Sequence, residues 1–133
     1  MTDVKKYTVY ILEENKDLLN NIKDSLIATN NFTVIGTSDN ATSCLNYLSN
    51  NNCDLLIIDL MLTNIDGIGV LNKLKEVNSR AYNKVVCITS FTNPLICETL
   101  EKLNVSYCFN NHSISIILST TLNYCNESYI RRY

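Results

Sequence analysis

The stretch Cys53-Asp54-Leu55-Leu56-Ile57-Ile58-Asp59-Leu60-Met61 decides the fold of this chain, because it places an aspartate directly after four consecutive apolar residues. A run that is apolar on both faces is typical of a strand buried in a parallel sheet. A carboxylate at the end of such a strand lies at the edge where an open α/β sheet binds its ligands. An earlier run of the same kind, Tyr7 to Leu12, is followed by the acidic pair Glu13-Glu14. Two strand ends therefore deliver three carboxylates, which predict a functional site.

Strand-like and helix-like segments alternate along the whole chain. Apolar runs predict the strands, apolar residues at helical spacing predict the helices, and Asn15 and Pro94 suit the starts of the first and fourth helices. The predicted strands are Tyr7–Leu12, Phe32–Gly36, Leu55–Asp59, Val85–Thr89 and Val105–Phe109, and the five helices fall within Leu18–Ile27, Ala41–Leu48, Val70–Leu74, Pro94–Leu103 and Ile114–Cys125. We therefore expect an α/β protein with a doubly wound, five-stranded parallel sheet of order 2-1-3-4-5 and five flanking helices. That order brings the three carboxylates to one edge.

The length and charge of the chain limit the classes of protein to consider. A chain of 133 residues suits a single domain spanning 1–133, and we expect its ends, 1–6 and 127–133, to be flexible. The net charge of −2, without runs of like charge, gives no sign of a nucleic-acid surface, and no apolar stretch is long enough to span a bilayer. We expect a cytoplasmic protein whose six cysteines are reduced, since none forms a CxxC pair.

The segment from Asp59 to Leu71 resembles the phosphoacceptor loop of bacterial response-regulator receiver domains, the CheY-like family. Asp66-Gly67 stands where that family has Asp-Gly, and Thr63 stands where proline is usual. The resemblance extends over essentially the whole chain and implies a flavodoxin-like or CheY-like fold. Within the family, the stretches at Glu13-Glu14-Asn15, Phe32–Gly36 and Leu62–Leu71 are most similar to the receiver half of the stage-zero sporulation regulator A of spore-forming bacteria.

The resemblance implies a role for each residue at this edge. Asp59 would be the phosphoacceptor, taking a phosphoryl group from a histidine kinase or a phosphotransfer protein, and the Thr89 hydroxyl would contact the phosphoryl oxygens. Glu13, Glu14 and Asp59, with the backbone carbonyl of Met61, would supply oxygen ligands to Mg²⁺. The face formed by helix four, strand five and helix five would carry partner contacts, including those of a homodimer.

Several positions depart from the family pattern. Asn111, or Asn110 if the alignment is moved by one residue, falls where the family has a lysine, so the predicted site lacks that cation in either register. Glu13 and Glu14 stand where aspartates are usual, and their longer side chains displace the carboxylates from a geometry that Mg²⁺ tolerates poorly, so we expect weak or absent Mg²⁺ binding. Cys108 occupies the place of the aromatic switch residue that moves together with Thr89 in the family.

Two functions stay open on this basis. The first is a receiver domain in phosphorelay signalling that catalyses its own phosphorylation at Asp59, turns over no separate substrate, and regulates sporulation or transcription. The second is a phosphorylation-independent pseudo-receiver that acts as a protein–protein interaction module. Asp59 and Thr89 favour the first function, whereas Asn111 and the Glu13-Glu14 pair favour the second. The sequence leaves open whether a DNA-binding effector domain follows Tyr133.

Overall fold

A computed structural model describes residues 6–62, 65–89, 94–103 and 105–109, with the backbone alone for 106–109. Within these residues, strands and helices alternate as the sequence predicts. The strands are β1 (Tyr7–Leu12), β2 (Phe32–Ser38), β3 (Cys53–Asp59), β4 (Tyr82–Thr89) and β5 (Ser106–Phe109), and the helices are α1 (Lys16–Ala28), α2 (Ala41–Leu48), α3 (Gly67–Val77) and α4 (Pro94–Lys102). The predicted fifth helix lies outside the described residues.

The strands form one parallel sheet in the order β2-β1-β3-β4-β5. The parallel α/β architecture predicted from the alternation of segments is confirmed. Because β1 and β3 are neighbours, the chain leaves them in opposite lateral directions, toward β2 and toward β4. The carboxyl ends of β1, β3 and β4 share one edge, and Glu13, Asp59 and Thr89 all lie there.

Three strands are longer than their apolar runs. β2 continues to Ser38, β3 begins at Cys53, and β4 begins at Tyr82 rather than at Val85. The extra residues are paired with neighbouring strands: Cys53 pairs with Tyr82, Leu55 pairs with Lys84, and Ser38 pairs with Leu12. Ladder hydrogen bonds join backbone groups, so polar side chains at a strand end do not prevent pairing.

Side chains from the preceding loops cap three of the helices. The Asn15 side chain accepts a hydrogen bond from the Leu18 N–H at 3.1 Å, which confirms the predicted cap of α1. Asn40 caps α2 in the same way, and the Asp66 carboxylate accepts the Gly69 N–H at 2.7 Å at the start of α3. These caps satisfy N–H groups that have no partner within the helix. Two of them fix the loops that follow β1 and β3, where the candidate site lies.

The two faces of the sheet bury separate sets of apolar side chains. In β3, Leu56 and Ile58 pack with α2, α3 and α4, whereas Leu55 and Ile57 pack with α1. This alternation follows from the two-residue period of a strand and explains why the run is apolar throughout. No helix among the described residues is long and apolar enough to cross a membrane.

The described cysteines are free thiols, as the sequence predicts. Cys44, Cys53 and Cys87 are buried, and Cys97 is partly exposed. Burial raises the pKa of Cys44 and of Cys53 to about 12, so both side chains are neutral and behave as small apolar groups. The side chains of Cys108 and Cys125 lie outside the described residues.

Candidate functional site

Asp59 is the last residue of β3 and is half-buried at the carboxyl edge of the sheet. Its Oδ1 accepts a hydrogen bond from the Met61 N–H at 2.9 Å, so the backbone that follows the strand orients the carboxylate. The Leu60 N–H donates to the Ile88 carbonyl at 2.9 Å and ties the same backbone to β4. The carboxylate is therefore held in place while solvent still reaches it.

Glu13 lies directly beside Asp59 and is buried, with only 3% of its surface exposed. Its N–H donates to the Ser38 carbonyl at 3.1 Å, and its Oε2 accepts the Asn15 N–H at 3.2 Å. Burial, followed by a hydrogen bond with Asp59 and repulsion from that carboxylate, raises the pKa of Glu13 to about 8. Glu13 is consequently protonated in most molecules at neutral pH.

Glu14 has a different environment from Glu13, although the two are adjacent in the sequence. Its side chain is exposed to solvent, whereas that of Glu13 turns into the sheet edge and contacts Asp59. The sequence presents the two glutamates as one acidic pair and does not distinguish their roles. The structure separates them into a buried acid beside the predicted phosphoacceptor and an acid at the rim.

Weak or absent Mg²⁺ binding at these carboxylates stays a prediction, and the geometry around Glu13 bears on it. Among the described residues, no group of three or more His, Cys, Asp or Glu side chains is placed to hold a metal ion. The carboxyl group of Glu13 is already engaged by Asp59 and by the Asn15 N–H. Mg²⁺ requires several oxygen ligands in near-octahedral geometry, so this contact would have to open before the ion bound. The Met61 carbonyl stays a predicted ligand.

Thr89 ends β4 at the same edge and is 1% exposed. In the ladder, Asp59 pairs with Ile88, so Thr89 follows the residue opposite the predicted phosphoacceptor. Cys108 pairs with Ile88 through the backbone of β5, but its side chain lies outside the described residues, as does the whole of Asn111. The proposed switch pair and the replacement of the family lysine therefore stay predictions.

The Asp66-Gly67 dipeptide plays a different part from the one its sequence suggests. Such a dipeptide predicts a turn in which glycine adopts a conformation that other residues resist. Instead, Asp66 caps α3, and Gly67 is the first residue of that helix, with no positive φ. The Gly67 N–H donates to the Leu60 carbonyl at 2.9 Å, and its Cα lies against the backbone of Asp59. The expectation of a special turn conformation at Gly67 is therefore wrong, and close approach explains the glycine.

Solved structures with this fold include response regulators. A DNA-binding response regulator of the LuxR family from Staphylococcus aureus superposes with a TM-score of 0.79 at 20% identity, covering 90% of this chain and 99% of that one. RcsB from Salmonella enterica serovar Typhimurium, bound to promoter rprA with the phosphomimetic BeF3−, gives a TM-score of 0.79 at 20% identity, covering 92% and 100%. At such identities the likeness establishes the fold alone.

A comparison of the sequence with protein-family models identifies the family. The family model of the response regulator receiver domain matches residues 9–110, a range that begins in β1 and ends just after β5. This range includes Glu13, Asp59 and Thr89 at the carboxyl edge. The chain belongs to the response regulator receiver domain family.

Proposed function

We propose that this chain is a receiver that accepts a phosphoryl group on Asp59 from the phosphohistidine of a kinase or phosphotransfer protein. The observation that supports this most directly is the half-buried carboxylate at the end of β3, oriented by the Met61 N–H. In the transfer, a carboxylate oxygen of Asp59 forms a bond to phosphorus. The P–N bond of the donor breaks, and its electron pair returns to the imidazole nitrogen.

Thr89 and Asn111 have proposed roles in the same step. The Thr89 hydroxyl, at the end of the adjacent strand, would donate a hydrogen bond to a phosphoryl oxygen after transfer. Asn111 would offer an amide where the family has a lysine, so less positive charge would stabilise the transferring group. We therefore expect slow phosphorylation, with regulation of sporulation or transcription as the output and the face that includes α4 and β5 as the partner surface.

A phosphorylation-independent pseudo-receiver is the second candidate, and one contact favours it. Glu13 is buried against Asp59 and engages the group that must act as the nucleophile. A protonated acid hydrogen-bonded to a carboxylate withdraws charge from it and lowers its nucleophilicity. If this contact persists in solution with Mg²⁺ present, the chain would act through protein contacts alone.

The experiment that separates the two candidates measures covalent phosphorylation of the whole chain. The protein is incubated with Mg²⁺ and either a small acyl phosphate donor or a phosphohistidine carrier protein, and its intact mass is followed. An acyl phosphate is recognised because hydroxylamine removes it, and peptide mapping locates it. We expect one phosphoryl group on Asp59 and none in Asp59→Asn. Absence of the phosphoryl group with both donors would leave the pseudo-receiver.

A further inference from the structure

We infer that Gly67 is a positioning residue for Asp59: the first turn of α3 packs directly on the backbone of the phosphoacceptor, and only a residue without a side chain leaves that backbone in place. The inference rests on the proposed function for its consequence, namely the phosphorylation rate. The position of the Asp59 and Leu60 backbone is a separate observable, and it is tested independently of that rate.

The distances show how little room there is. A Cβ built on Gly67 would lie 2.8 Å from the Asp59 carbonyl oxygen, 3.1 Å from the Leu60 Cα and 3.4 Å from the Asp59 carbonyl carbon. All three are backbone atoms, so no side-chain rotation would relieve the contact. Van der Waals separations between such atoms are normally well above 3 Å, and a methyl group here must move either α3 or the end of β3.

Both of those elements are held in place. The Leu60 N–H donates to the Ile88 carbonyl, and the Gly67 N–H donates to the Leu60 carbonyl, each at 2.9 Å. The Asp66 side chain holds the first turn of α3 through the Gly69 N–H at 2.7 Å. A methyl group at position 67 would therefore press on the backbone of Asp59 and Leu60. That backbone carries the Asp59 carboxylate and leads directly to the Met61 N–H that orients it.

Backbone conformation does not explain the glycine, because none of the described glycines has a positive φ. Replacing a glycine that serves only as part of a helix with alanine would stabilise the protein by up to roughly 1 kcal/mol. Gly69 provides the matched comparison, two residues later in the same turn of α3. A Cβ there would lie 2.6 Å from Ile65 Cγ1, 2.9 Å from Ile65 Cδ1 and 3.4 Å from Asp66 Oδ1, and all three are side-chain atoms rather than the backbone of Asp59.

The test compares the unaltered 133-residue chain with Gly67→Ala and Gly69→Ala. Amide chemical shifts of residues 59–61 report the backbone position without any phosphoryl donor, and the initial rate with a small acyl phosphate donor and Mg²⁺ reports its consequence. A misplacement of about 1 Å near a reacting group costs up to about 100-fold in rate. We expect Gly67→Ala to shift those amides and to slow phosphorylation at least tenfold, whereas Gly69→Ala stays within about twofold. Urea unfolding shows that both variants are folded under the assay conditions.

Unchanged amide shifts at 59–61 in Gly67→Ala, with a rate equal to that of Gly69→Ala, would overturn the inference. If the unaltered protein accepts no phosphoryl group, the proposed function fails, and the amide shifts still decide whether Gly67 positions Asp59. If Gly67→Ala does not fold under these conditions, all three proteins are measured in the presence of a stabilising osmolyte. The comparison is then made against Gly69→Ala.

Discussion

The two aspartates of β3 lie at opposite ends of one strand, and their surroundings differ in kind. At the start, Asp54 Oδ2 accepts hydrogen bonds from the Thr8 N–H at 2.9 Å and the Thr8 hydroxyl at 3.2 Å, and the Asp54 N–H donates to that hydroxyl at 2.9 Å. At the end, Asp59 has the N–H of Met61 for one oxygen and a buried acid, Glu13, beside it. One carboxylate is surrounded by donors, and the other faces a second carboxyl group.

The difference between these surroundings separates an aspartate that stabilises the fold from one that belongs to a functional site. Asp54 joins β1 to β3 through three hydrogen bonds, two of which its carboxylate accepts, so these contacts stabilise the fold. The placement of Glu13 beside Asp59 costs stability whenever both are ionised. Clusters of this unfavourable kind are characteristic of functional sites, where repulsion between groups is kept for chemistry. Substitutions at the two ends of β3 therefore test whether Asp59 serves phosphorylation and Asp54 serves stability.

The largest expected effect is the loss of phosphorylation in Asp59→Asn compared with Asp54→Asn. Removal of the nucleophile should lower phosphoryl incorporation by at least about 100-fold. Asp54→Asn should keep most of the rate, because that residue lies at the opposite edge of the sheet. Quantified intact mass spectra after a fixed incubation measure both variants. A phosphorylated Asp59→Asn protein would place the acceptor elsewhere.

The next effect is the pH dependence of stability set by Glu13. Its pKa in the folded protein, about 8, lies above the ordinary value of 4.5, so the folded state holds this proton more tightly than the unfolded state. The resulting stability is complete below about pH 4.5 and is lost as the pH rises through 8. We expect the free energy of unfolding to fall by a few kcal/mol over that window.

Glu13→Gln should remove this slope, since glutamine stays neutral at every pH. Glu14→Gln is the matched control, because Glu14 is exposed at the rim of the site and should leave the slope in place. Urea unfolding at several pH values between 5 and 8.5 gives the three curves. If the Glu13→Gln curve runs parallel to that of the unaltered protein, Glu13 does not carry the titration.

A smaller effect is expected at the start of β3. Asp54→Ala removes the acceptor for the Thr8 N–H and hydroxyl, both of which are partly buried. Leaving a buried donor without a partner costs about 2 kcal/mol, so the free energy of unfolding should fall by about that amount. The fall should be the same at pH 6 and pH 8. A loss of phosphorylation larger than the loss of folded protein would contradict the separation of the two ends.

The sequence predicts most of the scaffold of this site and less of its geometry. The apolar runs before Glu13 and Asp59 locate the ends of β1 and β3, because a buried parallel strand must be apolar on both faces. Asn15 is identified as a cap, because its side chain and the spacing to the first apolar pair of α1 are both local features. Features that depend only on residues close together in the chain can be predicted from the sequence.

What the sequence does not show depends on close approach between segments that are separate in the chain. Nothing in the order Glu13-Glu14 indicates which acid turns toward Asp59, because that follows from the direction in which the chain leaves β1. The role of Gly67 depends on how near α3 comes to the end of β3. The sequence identifies Glu13 and Gly67 only as members of family motifs, and the structure gives each of them its own physical role.

The smallest effect concerns Mg²⁺ and returns to the carboxylate that faces another acid. Shortening Glu13 to Asp would draw its carboxyl group back from Asp59 and free oxygens of both residues for the ion. Glu13→Asp combined with Glu14→Asp should bind Mg²⁺ about tenfold more tightly than the unaltered protein, equivalent to about 1.4 kcal/mol. Titration followed by calorimetry or by the amide shift of Met61 measures the affinity. Each single variant shows which glutamate is responsible, and we expect Glu13→Asp to account for most of the gain because the Glu13 side chain is buried against Asp59. Tight binding by the unaltered protein, or no gain in the double variant, would show that the Glu13–Asp59 contact is no obstacle to the ion.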